Sequence, residues 1–306
     1  MKIISHSADA DGRLSAWLVA NKFKLIGQEN SLLTEDDFIM TDYGKHDDIF
    51  SKIEKDEKVV ICDFSFENGP EDMKKLQEIT NDITWIDHHK SAIEKYGDYA
   101  NEIKGLRVDG TAACMLTYIY YYILKLDEVS NLTQRQCELL YNKAPKLVQL
   151  VHDNDVWRYQ YGKDTEFFKL GLDSENIVSP LDNRWRLMYN SKQAIHRIIN
   201  AGIYIKKYRD SLGDFACNSA GFEYEIDGLK GFCLNNVFGG SPWFGDRIKQ
   251  YDFVCCFNYM GATKEWEYSF YSEKENVDCS KIAQKIDSKG GGHKGAAGCT
   301  TKKFIF

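Results

Sequence analysis

The chain has no basic surplus. Its 39 Lys and Arg are outnumbered by 46 Asp and Glu, leaving a formal charge of −7 over 306 residues. Proteins that grip extended duplex nucleic acid usually show a basic excess, so a long polyanion fits poorly as a partner. A small anion held through metal ions is compatible with the acidic balance. Long apolar runs are also missing: the longest, roughly Ala112 to Leu124, is too short and too rich in tyrosine to span a bilayer, and no membrane partner is expected. The opening Met1-Lys2-Ile3-Ile4-Ser5-His6 carries no apolar core of a secretory signal. The nine cysteines form no CxxC pair and no regular framework, which suits reduced thiols, and a cytoplasmic location is expected. There is no internal repeat. A hydrophobic content of 43% with 13% aromatics argues against disorder and gives enough material for two ordered domains.

What is present is an alternation of strand-like and helix-like segments in the first half. Lys2-Ile3-Ile4-Ser5, Val59-Val60-Ile61-Cys62 and Ile83 to Ile86 read as short buried parallel strands, and Thr41-Asp42-Tyr43 closes a further short one. Arg13 to Ala20, Pro70 to Ile79, Gly110 to Leu124, Gln134 to Asn142 and Pro145 to Val151 read as helices. This pattern predicts an α/β fold with a doubly wound, mostly parallel sheet over residues 1–184. Residues 185–212, rich in Lys and Arg with an isoleucine stripe from Ile195 to Ile205, read as a connecting helix. Phe222 to Ile226, Gly231 to Leu234, Phe253 to Asn258 and Trp266 to Tyr271 are strand-like, and Cys279 to Ile286 is helical. They make a second, smaller α+β domain over 213–306.

The predicted N-terminal strands end on metal-ligand residue types. His6 is followed by Asp9 and Asp11, the third run stops on Asp63, and the fourth on Asp87-His88-His89. A further cluster, His152-Asp153-Asn154-Asp155-Val156-Trp157, follows the apolar run Leu147 to Val151. In open α/β sheets ligands sit beyond the carboxyl ends of the strands, so these clusters imply one shared site. Carboxylates with a few imidazoles suit Mn²⁺ or Mg²⁺, with Zn²⁺, Co²⁺ or Fe²⁺ as alternatives. The acids are too many for one ion, and a pair of ions serves phosphoester hydrolysis. Near the C-terminus, Gly290-Gly291-Gly292-His293-Lys294 allows backbone amides to approach an anion.

These residues resemble the DHH phosphoesterase family, in particular members with a C-terminal DHHA1 domain. Asp87-His88-His89 is similar to the naming motif, His6 to Gly12 to the first, Asp63 to the second and His152 to Trp157 to the fourth. Gly290 to His293 is similar to the DHHA1 signature. The resemblance runs from residue 4 to about 298. It implies two divalent ions, Mn²⁺ first, with His6, Asp9 and Asp63 on one and Asp11, Asp63, His88 and a fourth-motif acid on the other. That acid is Asp155 if Val156-Trp157-Arg158-Tyr159 sets the register, and Asp153 if the preceding apolar run does. His89 is expected to face the substrate phosphate and Asp87 to orient an imidazole. Gly290, Gly291, Gly292, His293, Arg158 and Tyr271 are expected to bind substrate. Tyr271 stands in Ser269-Phe270-Tyr271-Ser272, where many relatives carry an arginine between two serines; it can stack on a base. The implied activity is phosphodiester hydrolysis on a short single-stranded oligonucleotide (nano-RNase type) or linear dinucleotide lying between the domains, with room for a homodimer. The alternatives are a 3′-phosphoadenosine 5′-phosphate phosphatase, an inorganic pyrophosphatase or exopolyphosphatase, and a non-catalytic nucleotide sensor.

Overall fold

The computed structural model describes residues 1–25, 33–43, 48–125, 129–237 and 240–306. It divides into two compact units, residues 1–203 and 204–306. The division falls inside the segment expected to connect the domains. That segment is two helices, Asn183–Asn190 and Lys192–Ala220, rather than one.

The first unit is built on a six-stranded parallel sheet. Its strands are β1 (Lys2–His6), β2 (Phe38–Thr41), β3 (Val59–Cys62), β4 (Ile83–Asp87), β5 (Lys104–Arg107) and β6 (Val129–Ser130), in the order β2-β1-β3-β4-β5-β6. Strands β3 and β4 are buried along their whole length, as continuous apolar runs covered on both faces should be. One face packs on α1 (Ala10–Leu25) and on a helical stretch whose α-helical part is α4 (Ala113–Tyr118). That stretch continues as a π-helix over Ile119–Leu124. The other face packs on α2 (Pro70–Ile79) and α3 (Lys90–Tyr96). In α1, Leu14, Trp17 and Leu18 recur at helical spacing and are buried. In α2, Pro70 occupies the first turn while Met73 and Leu76 point into the core. The helices α5 (Gln134–Leu140), α6 (Lys146–Asp155) and α7 (Lys163–Ser174), with Asn183–Asn190 and the start of Lys192–Ala220, complete the unit.

The strand order fixes where a site can form. The chain leaves β1 toward β2 on one side and places β3 on the other, so a crevice opens at the carboxyl ends of β1 and β3. Gly12 lets α1 begin there: a Cβ at this position would sit 2.2 Å from the His6 carbonyl oxygen. We expect Gly12→Ala to cost about 1–3 kcal/mol through forced displacement of α1, read as a lowered midpoint in thermal denaturation. An unchanged midpoint would mean that α1 does not approach β1 this closely.

The second unit is a six-stranded mixed sheet in the order β11-β12-β10-β9-β8-β7. Its strands are β7 (Phe222–Ile226), β8 (Leu229–Asn235), β9 (Phe253–Met260), β10 (Glu265–Tyr271), β11 (Gly291–His293) and β12 (Ala296–Thr301). Apolar clusters cover both faces; the helix Cys279–Ile286 contributes to one and Cys217, Phe244 and Ile248 to the other. All nine cysteines are buried free thiols. Among the described residues no helix is long and apolar enough to cross a membrane.

A candidate metal centre at the strand ends

His6 closes β1, and its Nδ1 lies 3.2 Å from Asp9 Oδ2. Asp9 Oδ1 accepts from the Gly12 amide at 3.1 Å, which holds the turn into α1. Asp11, buried in the first turn of α1, accepts from the amides of Ala113 at 2.7 Å and Cys114 at 2.8 Å. These are among the N-terminal donors of α4 that the helix itself cannot satisfy. Asp63 follows β3 directly with φ of 54°, a left-handed conformation uncommon for a residue with a Cβ and a mark of functional sites. Asp87 ends β4, and its Oδ1 accepts from His88 N at 2.8 Å, His89 N at 3.3 Å and His89 Nδ1 at 2.7 Å. Asp155 is the last residue of α6.

These elements converge. His88 Nε2 stands 3.3 Å from Asp63 Oδ1, 3.6 Å from Asp155 Oδ2 and 3.8 Å from Asp11 Oδ2. Ligand atoms of His6, Asp9 and Asp63 lie within 4.8 Å of one another, as do those of Asp11, His88 and Asp155, and those of Asp63, His88 and His89. Asp63 is 1% exposed, and among the described residues neither of its oxygens accepts a hydrogen bond. Asp155 Oδ2 is likewise buried without a hydrogen bond among the described residues. Burial, then the charges of Asp11, Asp9, Asp87 and Asp155, push the Asp63 carboxyl well above the usual range. Burial and then Asp11 push Asp155 up to about 7, against the pull of His88. Burial also raises Asp11, again against His88. Asp9 is net lowered: burial acts upward, but the hydrogen bond from His6 and the Gly12 amide outweigh it. Carboxylates packed together and starved of donors are costly unless cations accompany them. The orphaned oxygens of Asp63 and Asp155 therefore fit divalent ions.

Asp153 stands elsewhere. Two positions apart on a helix is about 200° of rotation, so Asp153 and Asp155 leave α6 on opposite faces. Asp153 is fully buried and accepts from Gln160 N at 2.9 Å, Tyr161 N at 3.4 Å and the Thr165 hydroxyl. The sequence reading left the choice open because it ended this helix at Val151, whereas it runs through Asp155. The guanidinium of Arg158 lies over the Tyr141 ring at 5.2 Å and donates to Gln160 Oε1 at 3.3 Å.

Two neighbours, Asp42 and Tyr43, were given no site role in the sequence reading, and His152, named there in the fourth cluster, stands behind the ligand set. Asp42, just past β2, places Oδ1 3.7 Å from His6 Nε2 and accepts from Ser7 Oγ at 2.6 Å. The ring of Tyr43 stacks on Phe64 at 5.4 Å, 5.5 Å from the His6 ring and 5.9 Å from that of His89. Burial, then the charge of Asp87, push its phenol up to about 12. His152 is buried and accepts from Ala112 N at 3.1 Å. Burial, then Arg158, depress it to about 4, so it stays neutral and steadies the helix start that holds Asp11. The signal for the first two was present: Asp42 and Tyr43 follow a short apolar run, as His6 and Asp63 do.

In the second unit the glycine run is not a free loop. Gly291–His293 form the edge strand β11, with Gly291 opposite Gly298, Gly292 opposite Ala297 and His293 opposite Ala296. Gly292 has φ of 139°, and a Cβ there would meet Ala296 O at 2.7 Å. Ala296 also pairs with Tyr271 on β10. Register therefore sets Tyr271 and His293 on one face of this sheet, two strands apart, about 9–10 Å. His293 is exposed and Tyr271 half-buried.

No family model matches the chain. An uncharacterised protein of Acanthamoeba polyphaga mimivirus is 22% identical over 252 residues, which cover 80% of this chain. The chain spans only about half, 53%, of that relative's length. Among solved structures, the pGpG-specific phosphodiesterase PggH of Vibrio cholerae superposes with a TM-score of 0.53 at 11% identity, over 98% of this chain and 93% of that one. A DHH domain from a member of a ribosomal-protein family superposes with a TM-score of 0.52 at 18% identity, over 98% and 82% of the two chains. With Asp87-His88-His89 at the end of its fourth strand, the chain shares the fold of these two structures, one of which is a DHH domain.

Proposed function

We propose that this protein is a divalent-metal-dependent phosphodiesterase acting on short oligonucleotides or linear dinucleotides. The observation that carries the reading is the position of Asp63. Its two buried oxygens, neither accepting a hydrogen bond among the described residues, lie in a cluster with His6 and Asp9 and in another with His88 and His89, while His88 in turn joins Asp11 and Asp155. His6, Asp9 and Asp63 would hold one ion, and Asp11, Asp63, His88 and Asp155 a second. Bound there, such ions supply Lewis acidity toward phosphoryl oxygens and an activated water at neutral pH.

The chain's own contribution is orientation and a proton. Asp87 fixes the His89 ring through Nδ1. That hydrogen bond, more than the opposing burial, raises the imidazole above its usual range, so His89 is charged over more of the neutral range. When protonated, this partly exposed imidazole beside the cluster can hold a phosphate oxygen and protonate the leaving oxygen. In the second unit, the edge strand Gly291–His293 offers outward-facing amides, and His293 and Tyr271 share a face. These groups would receive the nucleotide. The net charge of −7 agrees with a small substrate rather than a duplex.

We expect His89→Asn to lower turnover about 10²–10⁴-fold while leaving the thermal shift caused by Mn²⁺ intact. Loss of that shift in the variant would recast His89 as a metal ligand. The reading as a whole is tested by incubating the protein with Mn²⁺ and, separately, a dinucleotide, a long single strand, 3′-phosphoadenosine 5′-phosphate and pyrophosphate. The dinucleotide should be cleaved fastest. Turnover confined to either of the last two would replace the proposal.

A further inference from the structure

We propose that Trp157 is a stacking platform for the nucleobase beside the scissile phosphate, an inference that rests on the phosphodiesterase reading above. Trp157 is 78% exposed; a single exposed apolar side chain needs no explanation, and what sets this one apart is the turn that carries it. It lies two residues beyond Asp155, so their Cα atoms are at most about 7.6 Å apart. The backbone around it is costly: φ is 56° at Trp157 and 48° at Tyr159, a region bulky side chains seldom enter.

The protein holds this conformation in place. Trp157 N donates to Asn154 O at 3.2 Å, Arg158 N to Asp153 O at 3.0 Å and Gly162 N to Tyr159 O at 2.8 Å. The fully buried Asp153 carboxylate anchors the far side of the turn through the amides of Gln160 and Tyr161 and the hydroxyl of Thr165. The rings of Trp157 and Tyr159 meet edge-to-face at 6.1 Å. A buried acid thus braces a turn that presents an indole to solvent two residues along the chain from Asp155, a member of the candidate metal cluster. Any nucleotide whose phosphate reaches that cluster carries a base a few ångströms away, and base–indole stacking is tolerant of sequence.

The test uses the whole chain with Mn²⁺, a dinucleotide, and an abasic dinucleotide of the same backbone, each with wild type, Trp157→Ala and Trp157→Phe. Trp157→Ala should raise KM for the dinucleotide about tenfold or more, leave kcat within about twofold, and leave the abasic compound unaffected. Trp157→Phe should retain most of the affinity. Cleavage of the dinucleotide with an unchanged KM in Trp157→Ala overturns the platform and leaves the phosphodiesterase reading standing. If wild type cleaves neither compound, the dissociation constant of the dinucleotide decides. A tenfold weakening in Trp157→Ala keeps the platform while the hydrolase reading falls; absence of binding to wild type overturns both.

Discussion

Asp63→Asn is expected to reduce phosphodiester turnover by at least about 10³-fold on every substrate the wild type accepts. Asp63 reaches toward His6 and Asp9 on one side and His88 and His89 on the other, so an amide in its place removes a shared anionic ligand from both halves of the cluster. The same change should not harm the metal-free fold. In the absence of cations the Asp63 carboxyl is buried, lacks hydrogen-bond donors and faces the charges of Asp11, Asp9, Asp87 and Asp155. An amide there is neutral at every pH and never meets that repulsion, so the variant in EDTA should melt at or above the wild-type temperature. Loss of activity together with a collapsed fold would instead make Asp63 a structural residue, and near-normal turnover would place the chemistry elsewhere.

The second large effect is on stability. The wild-type protein should be stabilised by Mn²⁺, and the gain should grow as pH rises from about 5 to 8. The sign follows from Asp11, Asp63 and Asp155, whose carboxyls are raised in the folded state, Asp155 to about 7. An unfolded chain gives up these protons near pH 4. Between there and about pH 7 the folded state therefore holds protons the unfolded state has lost, and metal-free stability falls as pH rises. The His89 contribution runs the same way, present below its unfolded value and lost as pH climbs past its raised one. His152 opposes them below about pH 6.5, because its ring is depressed to about 4 and the unfolded chain takes up that proton first. It is one group against several. Divalent ions displace the protons that the carboxylates would otherwise hold, so apparent metal affinity should rise steeply with pH. Melting curves with Mn²⁺ and with EDTA at several pH values measure this; a metal-induced shift that is flat or shrinks with pH would contradict it.

The residues that could be read in the sequence are those where a local pattern and a global one agree. Short apolar runs ending on His6, Asp63 and Asp87 are visible because parallel strands are buried on both faces and must stop where the crevice begins. Strand β5 was invisible: Lys104-Gly105-Leu106-Arg107 has the composition of a turn. It is a strand because Gly105, with φ of 127°, lies against Trp85 O, where a Cβ would come within 1.9 Å. Arg107 adds to this by donating to the carbonyls of Trp85, Lys104, Ala100 and Ile103. Those contacts are set by tertiary structure. Similarly, Gly291 to His293 has the low strand propensity of glycine and reads as a loop, yet pairing with β12 makes it an edge strand. The ambiguity between Asp153 and Asp155 came from ending α6 one turn early, after which helical periodicity no longer separated the two faces.

The most direct measurement is the anomalous scattering of manganese in crystals grown with Mn²⁺. The account predicts two ions, one among His6, Asp9 and Asp63 and the other among Asp11, Asp63, His88 and Asp155, with Asp63 touching both and Asp153 touching neither. A single ion away from Asp63, or ligation through Asp153, would contradict it.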